Sequence, residues 1–599
     1  MFQTILKSRP TQIVFVRHIV PCIQTKSFSY RRRIERFYND GINLKQQTIE
    51  IDHTERIRRC ILYKDVDLYS FYKAICPEVR TLGDALQEGY LASKDGSCIG
   101  TVKSTNGTDS LQWLSYSKVM EQSQYIGSYL WTKTKLIPMK SKVVFLSSNR
   151  PEYLFVEQGS YMYGFVVISL YTTYDAATIL NVLKRTQADV LVIDNLERIK
   201  SFQNELLNNN HSTDLQQRPY VDPESIATYI LTSGTTGEPK IAMLSHENLL
   251  ATAKGHLIRL NQANIIKPIT ERHCSFLPMA HIYERFILLQ GLLSGTQIVF
   301  CPLPEKLPIY LSIVKPTQAS VVPRVLNKVY DAIMTEVNKS LMKRILVQQA
   351  LREQPSFLSQ IAFRKVKNLF GDELKAMITG AAPITPDVMH FFRIALDIPI
   401  MEGYGQTESA GAGTSTHPTD MSYGTIGSPV PTVEMKLVDV PGTNYRSKNN
   451  QGEVCIRGPT VFKGYFGDEA KTREAIDKDG WLYTGDVGEW TNNGALRIID
   501  RTKHIFKLSQ GKYIAPERLE DLCKDTKLKK IILDDLNQLA EKYRLKQYET
   551  LSNIYLHPEL FSQNNGLLTV TLKTRRANAR NHFQSIITSL YEDCSNKKQ

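Results

Sequence analysis

Residues 229–246 read YILTSGTTGEPKIAMLSH: a short apolar run, a polar loop, then a second apolar run. The loop carries Ser233, Thr235, Thr236 and Lys240, with Gly234 and Gly237 bracketing the threonines and Pro239 setting the lysine apart. Three hydroxyls, successive backbone N–H groups and one ammonium can wrap a polyphosphate. The spacing is not that of a Walker loop, in which Gly, four residues and Gly-Lys-Ser/Thr run straight into a helix N-terminus. A polar turn between two strands fits the same residues, so the reading depends on the segments that accompany the loop.

Four such segments follow in order. FLPMAHIYERF (276–286) sets His281 beside an apolar run, and MEGYGQTES (401–409) places Glu408 after a Gly-x-Gly turn that lets backbone approach a ligand closely. DGWLYTGDVGEW (479–490) presents Asp486 after Thr484 and Gly485, and IIDRTKHIFKLSQGKYIAPERLE (498–520) joins Arg501 to Lys503, Lys507 and Gly511. Singly, a histidine in an apolar run reads as a core residue and Thr-Gly-Asp reads as a turn. The combination is what carries information.

Elements that would position these residues are visible around them. VVFLS (143–147), FVVISLY (165–171), DVLVID (189–194), TQIVF (296–300) and ASVVP (319–323) read as buried parallel strands with helices between them. VEMKLVDV, GEVCIRG and ALRIID, after Met421, are spaced like hairpin strands. The fold class expected is α/β: a large multi-layer N-terminal domain of mostly parallel sheets with a β-rich subdomain, and a small mobile α+β C-terminal domain. The boundaries expected are a basic extension over 1–46, the large domain over 47–502 and the small one over 503–599. In the last, Leu528, Ile532, Leu536, Leu539 and Tyr543 recur at helical spacing and read as a core-facing stripe. Residues 201–222 are a polar loop.

The bulk numbers set limits. A chain of 599 residues with 42% hydrophobic and 22% charged residues is globular and too long for one ordinary domain. Its net charge of +14 is spread along the chain with no nucleic-acid-binding module, which points to an anionic membrane surface or anionic substrates. Nine scattered cysteines without a CxxC pair argue against a disulfide framework or structural zinc and for a reducing compartment. No run of eighteen apolar residues predicts a transmembrane helix. The first 34 residues are rich in Lys and Arg, with no acid before Glu35, and resemble a mitochondrial presequence. A basic tail lying on a membrane, with Ile13–Val16 and Ile19–Ile23 in the interface, is the alternative; it would suit the cytosolic face of the endoplasmic reticulum or the mitochondrial outer membrane.

Taken together and in this order, the segments resemble the adenylate-forming superfamily, and within it the long-chain acyl-CoA synthetases. The match of 479–490 and 498–520 to that family's fatty-acid signature is nearly residue for residue. The similarity runs from about Gln47 to Tyr591, and NNGLLTVTLKTRRANARNHF (564–583) resembles the family's terminal segment. The resemblance implies ATP-dependent activation of long-chain fatty acids to acyl-CoA through an acyl adenylate, with ATP, Mg²⁺ and coenzyme A required. By the same resemblance, Ser233, Gly234, Thr235, Thr236, Gly237 and Lys240 hold the departing phosphates and Glu408 binds Mg²⁺. Asp486 and Arg501 hold the ribose; Gly380, Ala381, Ala382, Gly403, Tyr404 and Thr407 bind the nucleotide around the adenine. His281 lines the carboxylate and thiol side, Lys573 is the adenylation lysine, and Lys503 is the hinge of a rotating tail domain.

Two departures stand out. Where the family has Pro-Lys-Gly this chain has Pro239-Lys240-Ile241, which implies a strain of about 1–3 kcal/mol if that position requires positive φ. After residues 515–520 the chain passes directly to DLCKDTKLKKIIL, omitting strands that the family carries there. These features favour the alternative of a non-catalytic lipid- or nucleotide-binding relative or a truncated inactive isoform; a second enzyme reading is a relative that forms acyl adenylates and completes a different second step.

Overall fold

Short runs of Val, Ile and Leu that are apolar on both faces form parallel strands, because helices cover both sides of such a sheet. The computed structural model describes residues 44–105, 108–194, 216–232, 239–261, 271–352, 357–501, 506–507, 513–514, 526–542, 551–557, 561, 567 and 576–596. In its five-stranded sheet, Val190–Ile193, Lys142–Leu146, Val166–Ser169 and Ile226–Thr232 run parallel in that spatial order, and Lys240–Ser245 closes the edge antiparallel. Lys142–Leu146 and Val166–Ser169 are buried as expected. Val190–Ile193 is half-buried at every position, because it is an edge strand with one neighbour.

A nine-stranded sheet has a parallel centre of Ile400–Tyr404, Ala376–Thr379, Gln318–Val321, Arg272–Ser275, Gln297–Phe300 and Ser97–Thr105, in that order. Antiparallel strands flank it, Thr414–Ser415 and Ser428–Pro429 on one side and Thr108–Ser115 on the other. The hairpin strands expected after Met421 form a third sheet, antiparallel throughout: Thr48–Asp52, Ile57–Cys60, Glu434–Val438, Gln451–Arg457, Leu482–Trp490 and Leu496–Arg501. The sequence reading missed its first hairpin, which is joined from far away in the chain: Arg59 pairs with Glu434 at 2.8 Å.

The layers meet in one main core that includes Phe145, Tyr153, Leu288, Val433, Ile456 and Leu496. An ion pair lies inside it, between Glu157 on the helix Pro151–Met162 and Arg285 on the helix Ile282–Ser294, both 6% exposed.

Ile241 does not carry the expected strain. It sits in the Lys240–Ser245 strand opposite Leu231 and is absent from the positive-φ residues of the described chain. Its side chain is buried with Val144, Leu146 and Ile168, so a β-branched residue suits the extended backbone there. In the tail, the helix Thr526–Lys542 covers the expected stripe up to Leu539, while Tyr543 lies outside the described residues. Leu536 is 39% exposed rather than core-facing. No helix among the described residues is long and apolar enough to cross a membrane, and the six described free cysteines are all buried.

Candidate active site

Parallel strands direct their C-terminal ends, and the loops that follow them, toward one edge of a sheet, where ligands of open α/β proteins bind. Here the ends of Ile226–Thr232, Ala376–Thr379 and Ile400–Tyr404 border a cleft of about 1080 Å³. Of the residues singled out in the sequence, Lys240, His281, Gly380, Ala381, Gly403, Tyr404, Thr407 and Glu408 line it. Ala382 is exposed and is not among the lining residues. Ser233, Gly234, Thr235, Thr236, Gly237, Lys503 and Lys573 lie outside the described residues, and Arg501 is described only as backbone, opposite Asp486 in the antiparallel register.

Glu408 sits in a single 3-10 turn, Thr407–Ser409, closed by reciprocal bonds between Gln406 and Ser409 and followed by Ala410 at φ 55°. Another outlier, Ala381 at φ 68°, follows Gly380, where an added Cβ would stand 2.9 Å from the Gly403 carbonyl oxygen. Left-handed backbone at non-glycine residues costs energy and concentrates at functional sites.

The Tyr465 hydroxyl donates to Glu408 Oε1 at 2.7 Å, and Lys240 Nζ stands 4.5 Å from the centre of the Tyr465 ring. Tyr465 was not legible in the sequence, because it belongs to an irregular segment without periodicity. That segment is sewn to the strand after the polar loop: Lys463 N donates to Met243 O, Met243 N to Gly464 O and Phe466 N to Ile241 O. The backbone bonds therefore carry Lys240 and the Tyr465–Glu408 pair side by side. Burial first, and then Glu408, hold the Tyr465 phenol well above its ordinary value, so it stays a donor. Lys471, also unforeseen, lines the cleft nearby with its ammonium 2.6 Å from Asp468 Oδ2.

Across the cleft, Tyr404 Oη donates to Asp486 Oδ2 at 2.7 Å, and Gln406 Nε2 reaches the Thr484 carbonyl at 3.1 Å. The hairpin Leu482–Trp490 and Leu496–Arg501 thus holds Asp486 against the strand that ends in Tyr404. Burial, followed by Asp486, pushes the Tyr404 phenol up.

On the third side, His281 caps the helix Ile282–Ser294, its Nδ1 accepting from Tyr283 N at 3.1 Å. Burial lowers its pKa against the opposing charge of Glu284. A neutral ring whose Nδ1 accepts carries its proton on Nε2. The loop before it is pinned twice: Asn149 exchanges bonds with Leu277 O and Met279 N, and Arg285 Nε donates to Met279 O at 3.1 Å. Beyond His281 the wall turns apolar, with Ile282, Phe286, Ile378 and Ala412.

His256, another lining residue missed in the sequence, sits within this apolar part, bonded to Gln290 at 2.7 Å and edge-on to Phe286. Burial pushes its imidazole down to about 4 from 6.5. Its folded pKa is below its unfolded one, so its stabilising contribution is present above pH 6.5 and is lost as pH falls through 4. The shift corresponds to roughly 3 kcal/mol. Urea denaturation between pH 7 and pH 4 should therefore show His256→Gln losing roughly 3 kcal/mol less than the wild type on acidification. Parallel losses would show that the buried ring does not titrate this way.

A family model described as AMP-binding enzyme matches residues 100–466, more than half of the chain, and the chain belongs to that family. Long-chain-fatty-acid–CoA ligase 1 of Cavia porcellus is 33% identical, covering 92% of this chain and 91% of the relative. Long-chain-fatty-acid–CoA ligase 5 of Rattus norvegicus is 34% identical, covering 92% and 93%. These relatives place the chain among the long-chain-fatty-acid–CoA ligases. The adenylation domain of a Mycobacterium chelonae carboxylate reductase superposes with a TM-score of 0.59 at 21% identity, covering 94% of this chain and 96% of that one. O-succinylbenzoate coenzyme A synthetase from Bacillus subtilis, solved with its acyl-adenylate intermediate, gives 0.59 at 18% identity, covering 82% and 97%. These two likenesses concern the fold.

Proposed function

We propose that this protein joins a long-chain fatty acid to coenzyme A at the expense of ATP. A carboxylate is a poor acyl donor, because the group that must leave is an oxide. In the first step a carboxylate oxygen attacks the α-phosphorus of ATP, and the bond to pyrophosphate breaks. In the second, the sulfur of coenzyme A, having given up its proton, attacks the acyl carbon and AMP departs. Neither step requires a covalent bond to the protein, so positioning and charge neutralisation carry the catalysis. The observation that supports this reading best is the convergence on one cleft of Lys240, the Glu408–Tyr465 pair and Tyr404, which Asp486 holds from the buried layer behind the lining, with His281 at the start of an apolar wall.

In this account Lys240 attracts the β- and γ-phosphates together with the loop Ser233–Gly237. Asp486, steadied by Tyr404, accepts from the ribose hydroxyls with Arg501 beside it, and the backbone of Gly380–Ala381 and Gly403–Tyr404 flanks the adenine. His281, neutral with Nε2–H toward the cleft, orients the carboxylate, and Lys573 bridges carboxylate and α-phosphate. Glu408 fits a magnesium site: it is a cleft-facing carboxylate, and Mg²⁺ is commonly held by one or two carboxylates together with substrate phosphates. Bound there, Mg²⁺ would supply charge neutralisation to the phosphates. Tyr465 keeps the Glu408 carboxylate oriented, and Lys503 serves as the hinge for a tail that turns between the steps. The unstrained backbone at Ile241 removes one argument for a non-catalytic relative.

The test of overall function is product analysis with palmitate, ATP, Mg²⁺ and coenzyme A. Palmitoyl-CoA, AMP and pyrophosphate in equal amounts are expected; ADP and phosphate, or no thioester, would contradict the reading. The excess of positive charge fits work at a membrane surface. The presequence-like residues 1–34 favour the mitochondrion, which N-terminal sequencing of the mature protein checks.

A further inference from the structure

The outward face of the helix Leu341–Arg352 sets large apolar side chains among exposed Lys343, Arg344, Gln348, Gln349 and Arg352, where a solvated helix is mostly polar. Val347 and Ala350 turn inward, while Leu341 is 62% exposed, Met342 82% and Ile345 53%, with Leu346 also exposed. At 3.6 residues per turn these four fall within an arc of about 140°, which exposed Gln349 and Arg352 share. On the helix Phe357–Leu369, which packs against it, Ile361 is 57% exposed beside exposed Arg364 and Lys365. Residues 339–369 carry seven Lys or Arg and a single acid, Glu353; Lys339 pairs with Glu336 and Lys367 with Asp397, and the cations that flank the apolar set are Lys343, Arg344, Arg352, Arg364 and Lys365. Apolar residues exposed singly are ordinary, but a grouped set rimmed by one sign of charge marks a binding surface.

We propose that this face docks on an anionic lipid bilayer. Met342, Ile345 and their neighbours enter the boundary between headgroups and acyl chains, and Lys343, Arg344, Arg364 and Lys365 meet the lipid phosphates. The charge decides among occupants: a second copy of the same face would set cations against cations. The proposal gives a location to the membrane-surface reading and is independent of the ligase chemistry, because binding is measured without substrate.

The experiment is co-sedimentation of the full chain with phosphatidylcholine vesicles, with and without phosphatidylglycerol. The proteins compared are the wild type, Met342→Asp/Ile345→Asp and Lys343→Ala/Arg344→Ala, each checked by circular dichroism and thermal melting. The wild type is expected to partition onto the anionic vesicles. The aspartate pair should weaken that partition about tenfold or more, and the alanine pair should weaken it and flatten its salt dependence. A wild type that ignores both vesicles would overturn the membrane reading as a whole. Binding that the folded aspartate variant retains would overturn this face alone, as would a wild-type dimer that the same variant dissociates.

Discussion

Glu408→Gln is expected to reduce palmitate-dependent ATP–pyrophosphate exchange by about a hundredfold or more, the scale of losing one preorganised electrostatic group at a phosphoryl centre. The substitution keeps the volume and an oxygen that can still accept from Tyr465, so the 3-10 turn and the melting temperature should hardly change. What disappears is the negative charge beside Lys240 and the phosphates. The fall should lie mainly in turnover, and excess Mg²⁺ should recover part of it if the weakened metal affinity limits the rate. Tyr465→Phe, which frees the carboxylate without removing it, should cost much less. Equal exchange in wild type and Glu408→Gln would remove Glu408 from the mechanism.

The largest stability effect belongs to Arg285→Leu. Arg285 donates to Thr228 Oγ1, Tyr161 Oη and Ser169 Oγ as well as to Glu157 and the Met279 carbonyl, all in the interior. Removing it leaves Glu157 buried without its cation, for a loss of about 3–5 kcal/mol. The double variant Glu157→Gln/Arg285→Met should lose less than the single one, because the stranded charge, rather than the missing attraction, dominates the cost. Any folded Arg285 variant should also show reduced activity, since the bond to Met279 helps hold the loop that presents His281. Chemical denaturation of the three proteins checks the order. A double variant less stable than Arg285→Leu would show that the pair itself, not its desolvation, supports the core.

Much of this architecture was legible in the sequence where a local signal existed. Lys142–Leu146 and Val166–Ser169 announce themselves because strands buried on both faces are continuously apolar. Glu408 was visible because the Gly-x-Gly turn before it lets backbone approach a ligand closely, whereas Gly380 was reached only through the family resemblance. Non-local partners leave no such trace. Tyr465 reaches Glu408 across 57 positions and Arg285 reaches Glu157 across 128, and neither partner follows from spacing. The hairpin Thr48–Cys60 joins a sheet built mainly from residues after 430 for the same reason. Ile241 shows the opposite failure: read against a glycine, it implies strain, yet the strand pairing with Leu231 gives it extended backbone and a buried apolar site. His256 looked like nothing in particular in the sequence, since only the packing of Phe286 and Gln290 around it makes it part of the cleft wall.

The acyl adenylate is the centre of the account, and isotope exchange tests it without the second step. With labelled pyrophosphate, ATP, Mg²⁺ and palmitate but no coenzyme A, the protein should transfer label into ATP only when the fatty acid is present. Absence of palmitate-dependent exchange in a folded protein that binds ATP would contradict it.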